Sequence, residues 1–114
     1  MQQQNRTTLC ESENGRVSVV NNGVAYELNF RDIILILTSQ QFYALRRYLE
    51  RLDENEWFRS SEEEFSLVYF APLCANYYMT RKDLQEMLKL LLEASAMIKV
   101  HQRLYFKTEK TRIN

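Results

Sequence analysis

The sequence predicts an α+β fold, in which an antiparallel sheet of four to five strands carries two helices on one face. Three features of the 114 residues support this prediction. An Asn-Gly pair separates two segments in which apolar and polar residues alternate, which is typical of a β-hairpin. A run of five aliphatic residues follows as a third strand. Two later segments begin with helix-capping residues and continue with apolar side chains at helical spacing, so the expected order is β-β-β-α-β-(β)-α.

The hairpin is predicted around Asn22-Gly23. This dipeptide favours a two-residue type I′ turn, because both central positions need positive φ angles. Such a turn places Val19 opposite Tyr26 and Val17 opposite Leu28. The side chains that this register directs toward the core are Val17, Val19, Val24, Tyr26, Leu28 and Phe30.

The aliphatic run at residues 33–37 forms the next strand, after a second reversal at Arg31-Asp32. Side chains of a strand alternate between its two faces. If Phe30 pairs with the first residue of the run, the odd-numbered residues join the core, and Ile34 and Ile36 point to the opposite face. Two residues of the hairpin, Val20 and Ala25, are expected beside them.

Both helices are predicted from their capping residues. Thr38 with Gln41 forms a capping box for a helix at 39–52, and Thr80 with Asp83 begins a second helix. Residues 98–106 fit either the end of this helix or a strand. No Gly, Pro, Asn or Asp breaks the chain between residues 84 and 106, so we predict one helix at 81–105.

The remaining segments give weaker patterns. Residues 53–64 are predicted to form an acidic loop, in which Trp57-Phe58 either closes the core or forms a binding surface. Residues 65–70 form a fourth strand and 77–79 a short fifth one. Residues 1–9 and 107–114 are polar and are expected to be flexible parts of a single domain at 1–114.

Composition narrows the classes of partner. The 15 basic residues balance the 15 acidic ones, so neither a nucleic acid nor an anionic membrane is an expected partner. Lys99, Arg103 and Lys107 follow one helical face, but the helix dipole also favours basic residues near a helix C-terminus. We find no signal peptide and no apolar run of about 20 residues. A cytoplasmic location is therefore expected, where Cys10 and Cys74 stay reduced.

The sequence contains little that predicts catalysis. His101 is the one histidine of the chain and lies in a helical stripe, where a packing role is more common than a nucleophilic one. Paired Cys-x-x-Cys spacings and glycine-rich phosphate loops are absent. We therefore predict no catalytic residue, no metal site and no cofactor, although an enzymatic role stays open.

Two functions remain. The first is a non-catalytic interaction or regulatory module that works as a homodimer. One small core cannot bury all the apolar surface of Ile34, Ile36 and the far end of the second helix, so a second copy is expected to cover it. An unidentified protein partner is also possible. The second is a small-ligand-binding protein or enzyme with an aromatic pocket between sheet and helices, lined by Tyr26, Tyr69, Tyr77 and Tyr78. The residues predicted for the dimer interface are Ile34, Ile36, Val20, Ile98, His101 and Tyr105.

The segment at 29–37, followed by a capped helix that opens with Phe42, resembles a group of small uncharacterised bacterial proteins, chiefly from Bacteroidota. These proteins carry a domain of unknown function, and the resemblance covers roughly residues 10–52. Some members place two cysteines before the second strand, where this chain has residues 19–22 without cysteine. The resemblance therefore implies a small soluble protein, and it brings no metal site and no activity with it.

Overall fold

A computed structural model describes residues 5–54, 58–60 and 63–113, and at positions 22, 54, 58–60, 63–64, 66 and 101–113 it describes the backbone alone. The fold is α+β, which confirms the predicted class. Its elements are β1 (Arg6–Glu11), β2 (Gly15–Val20), β3 (Ala25–Phe30), β4 (Ile33–Leu37), α1 (Ser39–Glu54), β5 (Phe58–Ser60), β6 (Glu63–Phe70), β7 (Ala75–Thr80) and α2 (Arg81–Ile113).

The strands form two antiparallel sheets, in the orders β1-β2-β3-β4 and β5-β6-β7. The prediction of four to five antiparallel strands agrees with the four-stranded first sheet, but it placed β6 and β7 in that sheet and not in a separate one. It missed β1, part of which lies in the segment 1–9 that we expected to be flexible, and β5, which lies in the expected acidic loop. The register of β1 shifts between Thr8 and Cys10. This irregularity removes the strict alternation by which a strand is recognised in a sequence.

The hairpin of β2 and β3 has the predicted register, with Val17 opposite Leu28 and Val19 opposite Tyr26. Its turn was predicted wrongly. Residues Asn21–Gly23 form one turn of 3-10 helix in place of the two-residue type I′ turn. The Val24 amide donates to the Val20 carbonyl at 3.1 Å, which closes a loop of four residues. Val24, predicted to be a core residue, is 72% exposed because it belongs to this loop.

The reversal between β3 and β4 follows the prediction, because Phe30 pairs with Ile33 across it. Arg31 takes up the turn with a φ of 52°. Its amide donates to the Asn14 carbonyl at 2.8 Å, and its guanidinium bonds Asp83 at the start of α2. This reversal therefore connects the β1–β2 turn, the sheet and α2 at one end of the molecule.

One face of the first sheet, which we call the inner face, packs against both helices. On this face, Tyr26 contacts Phe42 of α1 with ring centroids 5.3 Å apart. Gly15 allows α2 to lie close, since a Cβ there would be 3.1 Å from Leu90 and 2.5 Å from the Asn29 carbonyl oxygen. The inner-face side chains, each at most 5% exposed, are Val17, Val19, Tyr26, Leu28, Phe30, Ile33, Leu35 and Leu37.

The capping residues act as predicted. The Thr38 hydroxyl accepts the Gln41 amide at 3.2 Å, and the Gln41 side-chain oxygen accepts the Thr38 amide at 2.9 Å. The Thr80 hydroxyl accepts the Asp83 amide at 3.1 Å. Residues 98–106 are helical, and α2 continues to Ile113, beyond the expected end at 105 and into the tail that we expected to be loose.

The second sheet completes the core. Val68 and Phe70 of β6 are fully buried and Met79 of β7 is 4% exposed. Tyr77 packs edge-on against Phe70, with ring centroids 5.5 Å apart. Trp57, whose role the sequence left open, lies outside the described residues, as does the side chain of Phe58.

Candidate functional site

The residues predicted for an interface fall into three groups. Ile34 and Ile36 of β4 are 57% and 56% exposed. Val20 and Ile98 are only 5% and 3% exposed, so each is already covered within one chain and offers little surface. The side chains of His101 and Tyr105 lie outside the described residues.

Ile34, Ile36 and Val20 share the second face of the first sheet, which we call the outer face and which points away from both helices. Its central residues are covered despite this position. Ser18 is 4% exposed and Glu27 is 5% exposed. The outer face therefore combines a covered centre with two exposed isoleucines on β4.

Glu27 is the charged residue at the centre of the outer face. Its carboxylate accepts the Arg6 guanidinium at 2.8 Å and the Asn29 side-chain amide at 2.6 Å. A buried carboxylate needs such partners, because burial removes the water that would otherwise solvate its charge. This pair was not predicted from the sequence, since Arg6 lies in the segment that we expected to be flexible.

The backbone of β4 has one unpaired edge. In an antiparallel pair joined by a two-residue reversal, the residues that flank the reversal direct their backbone groups toward each other. Phe30 and Ile33 flank this reversal, so the backbone groups of Ile34 and Ile36 point away from β3. Among the described residues no strand pairs with that edge.

The two edges of the first sheet differ in chemistry. β1 carries Arg6 and Glu11 together with the register shift between Thr8 and Cys10. Charges and bulges of this kind protect an edge strand against pairing with another chain. β4 has the sequence Ile-Ile-Leu-Ile-Leu, without charge, proline or bulge. Among its own residues, the edge of β4 therefore has none of these protecting features, and beyond β3 and α1 it contacts the 3-10 turn at Ala71–Leu73.

A second apolar surface lies on α2. Leu92, Met97 and Val100 are 46%, 44% and 48% exposed. We expected surplus apolar surface on the far part of this helix, but Ile98 belongs to the buried side. Met97 and Val100 flank that position on the exposed side.

A polar cluster ties the β1–β2 turn to α2. The carboxylate of Glu86 accepts the Ser12 hydroxyl at 2.6 Å and the Asn14 side-chain amide at 2.9 Å. These hydrogen bonds, first from Ser12 and then from Asn14, lower the pKa of Glu86 below its ordinary value. Both donors come from the β1–β2 turn and the carboxylate comes from α2, so we interpret the cluster as a structural brace between these elements.

The cysteines are separate free thiols. Cys10 donates to the Leu90 carbonyl at 3.3 Å, and burial raises its pKa. Cys74 is exposed and lies at the turn before β7, with a φ of 49°. Within the described part of the chain, no group of three or more His, Cys, Asp or Glu residues is arranged to hold a metal ion.

The predicted aromatic pocket does not form from the four tyrosines together. Tyr26 is buried against α1, Tyr77 packs on Phe70, and Tyr78 is 80% exposed. Tyr69 instead lines a groove of about 410 Å³ between α1 and the 3-10 turn at Ala71–Leu73. No local sequence pattern predicts this groove, because its walls come from segments that are distant along the chain.

Comparisons with known proteins give a family without an assigned activity. No curated protein matches the chain. No solved structure matches it either. The described part of the chain contains no helical stretch with the length and apolar character that a membrane span requires. A family model matches residues 1–112, and the chain therefore belongs to the family of unknown function DUF6686.

Proposed function

We propose that this protein is a non-catalytic interaction module that works as a homodimer, joined through the β4 edge of the first sheet. Ile34 and Ile36 support this role, because each has an exposed side chain and, by the register, outward-pointing backbone groups. Exposed β-prone segments with unpaired edges aggregate unless something covers them. A second copy of the chain is the simplest cover, since a two-fold axis lets one strand pair with itself.

The register of this pairing follows from the alternation along β4. Backbone groups that point outward must face each other to form the paired hydrogen bonds of an antiparallel ladder. Antiparallel pairing centred on Leu35 places Ile34 of each copy opposite Ile36 of the other copy. The two four-stranded sheets then form one continuous sheet of eight strands.

Side-chain packing favours the same register. Ile34 and Ile36 lie on the outer face in both copies, so pairing at Leu35 brings four isoleucines together across the junction. Each is more than half exposed in the single chain, and fully burying an isoleucine contributes about 1.5–3 kcal/mol relative to full exposure. The cluster therefore gains apolar burial in addition to the backbone hydrogen bonds.

Charge substitution on the outer face tests this function. We expect light scattering at micromolar concentration to give about twice the chain mass of 13.7 kDa. Ile34→Lys combined with Ile36→Lys places like charges directly opposite each other in this register and should reduce the mass to that of a monomer. Val24→Lys is the matched control, because Val24 is 72% exposed and lies outside β4, and this variant should stay dimeric.

The contradicting outcomes are a monomeric parent protein, or a double variant that remains dimeric with the parent's dissociation constant. The first would remove the homodimer, and the second would place the interface elsewhere, with the exposed residues of α2 as the next candidate. A cytoplasmic location, an origin in Bacteroidota and the lack of a nucleic-acid partner stay predictions from the sequence.

A further inference from the structure

The groove between α1 and the 3-10 turn has the dimensions of a small-molecule site. Its volume is about 410 Å³, within the range of about 300–1,000 Å³ that is usual for ligand pockets. The helix supplies one wall and the turn the other, and the end of β4 lies between them. The apolar lining residues include Leu37, Ala44, Leu45, Ala71 and Pro72.

The turn that forms one wall is held in place by several contacts. The Tyr69 amide donates to the Tyr48 hydroxyl of α1 at 3.1 Å. Cys74 adopts a left-handed conformation, and its amide donates to the Ala71 carbonyl at 3.0 Å. Pro72 has a ring-restricted backbone at the start of the 3-10 turn. The groove is therefore already formed in the free chain, which lowers the entropic cost of binding.

Two polar side chains in the groove have hydrogen-bond donors that find no acceptor among the described residues. The Tyr48 hydroxyl accepts the Tyr69 amide, and its own proton has no acceptor among the described residues. The Gln41 side chain uses its oxygen for the Thr38 amide, and its NH₂ group likewise has no acceptor there. The groove thus offers two donors above an apolar floor.

We propose that this groove binds a small aliphatic molecule that ends in a hydrogen-bond acceptor, most simply a carboxylate. The chain of the ligand lies along Leu37, Leu45 and Pro72. Its acceptor end meets the Gln41 side-chain NH₂ group in the first turn of α1, where the helix dipole also favours negative charge. The Tyr48 hydroxyl, two turns further along the helix, is a second donor in the same groove. The groove adjoins the C-terminal end of β4 through Leu37, and the three probes below test it without reference to the proposed dimer.

The test uses three probes of equal chain length that differ in their end group: octanoate, octan-1-ol and octylammonium. Each is titrated into the full-length protein, and binding is followed by amide chemical shifts in ¹H–¹⁵N NMR spectra. We expect octanoate to give saturable shifts at Ala44, Tyr48 and Ala71, with an affinity at least tenfold higher than that of octylammonium. Octan-1-ol should lie between them.

Ala44→Phe fills the groove from an exposed helical position and should weaken the binding of octanoate at least tenfold. Ala96→Phe on the exposed side of α2 is the matched control and should leave it unchanged. Ala71→Leu fills the groove from the opposite wall, so it replaces Ala44→Phe if that variant loses its dispersed spectrum. The proposal is overturned by the absence of saturable shifts, by equal affinity for all three probes, or by binding that neither filled variant weakens.

Discussion

Glu27 is a buried carboxylate whose charge depends on two side chains. Arg6 supplies the compensating charge, and Asn29 donates a second hydrogen bond. Removing the partner of a buried charge costs more than the pair itself contributes, because the remaining charge stays desolvated. We expect Arg6→Ala to lower the free energy of unfolding by about 1–3 kcal/mol, measured by urea denaturation.

Arg16→Ala is the control for this prediction, since Arg16 is an exposed arginine on the neighbouring strand. Its effect should stay within about 0.5 kcal/mol. Adding Glu27→Gln to Arg6→Ala should recover part of the loss, because the side chain left behind is then neutral. An Arg6→Ala variant as stable as the parent would mean that water or another group solvates Glu27.

Glu86 makes the stability depend on pH. Its folded-state pKa is lowered from the ordinary value of 4.5, chiefly by the Ser12 hydroxyl. A lowered pKa stabilises the folded state above the unfolded-state value, and this contribution is lost as pH falls through the folded-state pKa. We expect the parent to exceed Glu86→Gln in unfolding free energy at pH 7, with a difference that shrinks as the pH falls below about 4.5.

The measurement is a set of urea melts of both proteins between pH 7 and pH 3. Gln85→Glu, at the exposed position before Glu86, is not a suitable control, because Gln85 bonds Asp53. Lys89→Gln is a better one, since Lys89 is exposed on the same helix. A difference between parent and Glu86→Gln that is constant over the whole pH range would show that the hydrogen bonds do not depend on the ionised carboxylate.

At the scale of elements, the turn between β2 and β3 depends on Gly23, whose φ is 102°. Residues with a Cβ rarely adopt this conformation, although no neighbouring atom lies within 4 Å of the Cβ position. The cost of a substitution is therefore backbone strain and not a clash. We expect Gly23→Val to lower the stability by about 1–2 kcal/mol, seen as a lower melting temperature, while Val24→Ala should have little effect. A Gly23→Val variant with the same melting temperature as the parent would contradict this account of the turn.

The elements that the sequence predicts well are those specified by local chemistry. The Thr38–Gln41 pair determines the start of α1, and Thr80 determines the start of α2, because a capping side chain acts on amides within one turn. β1 depends instead on pairing with β2, and its register shift hides the alternation. The β2–β3 register was predictable from the alternation of apolar and polar residues. The four-residue turn, closed by the hydrogen bond from the Val24 amide to the Val20 carbonyl, was not predictable, because Asn-Gly by itself favours a two-residue turn.

At the scale of the whole molecule, the candidate site was only partly predictable. The exposure of Ile34 and Ile36 follows from alternation along one strand. The burial of Val20 and Ile98 depends on what packs against them in three dimensions, which no local pattern shows. The groove is even less accessible to sequence reasoning, since Tyr48 and Tyr69 meet across the space between two elements.

The helix α2 extends well beyond the core it covers. Its 33 residues correspond to about 50 Å at 1.5 Å per residue, longer than the roughly 30 Å diameter of a small domain. Leu92, Met97 and Val100 on its exposed side leave apolar surface that the β4 pairing does not cover. A two-fold dimer through β4 therefore leaves α2 available for a further contact, which would appear as association beyond the dimer.

The most direct test of the proposed assembly is the solution mass of Ile36→Pro beside that of the parent. The amide of Ile36 points away from β3, so proline removes a hydrogen bond between chains while the ladder within the chain keeps its bonds. Light scattering at micromolar concentration should give a dimer for the parent and a monomer for Ile36→Pro, with the circular dichroism spectrum unchanged. A folded Ile36→Pro variant that remains as dimeric as the parent would contradict pairing through the edge of β4.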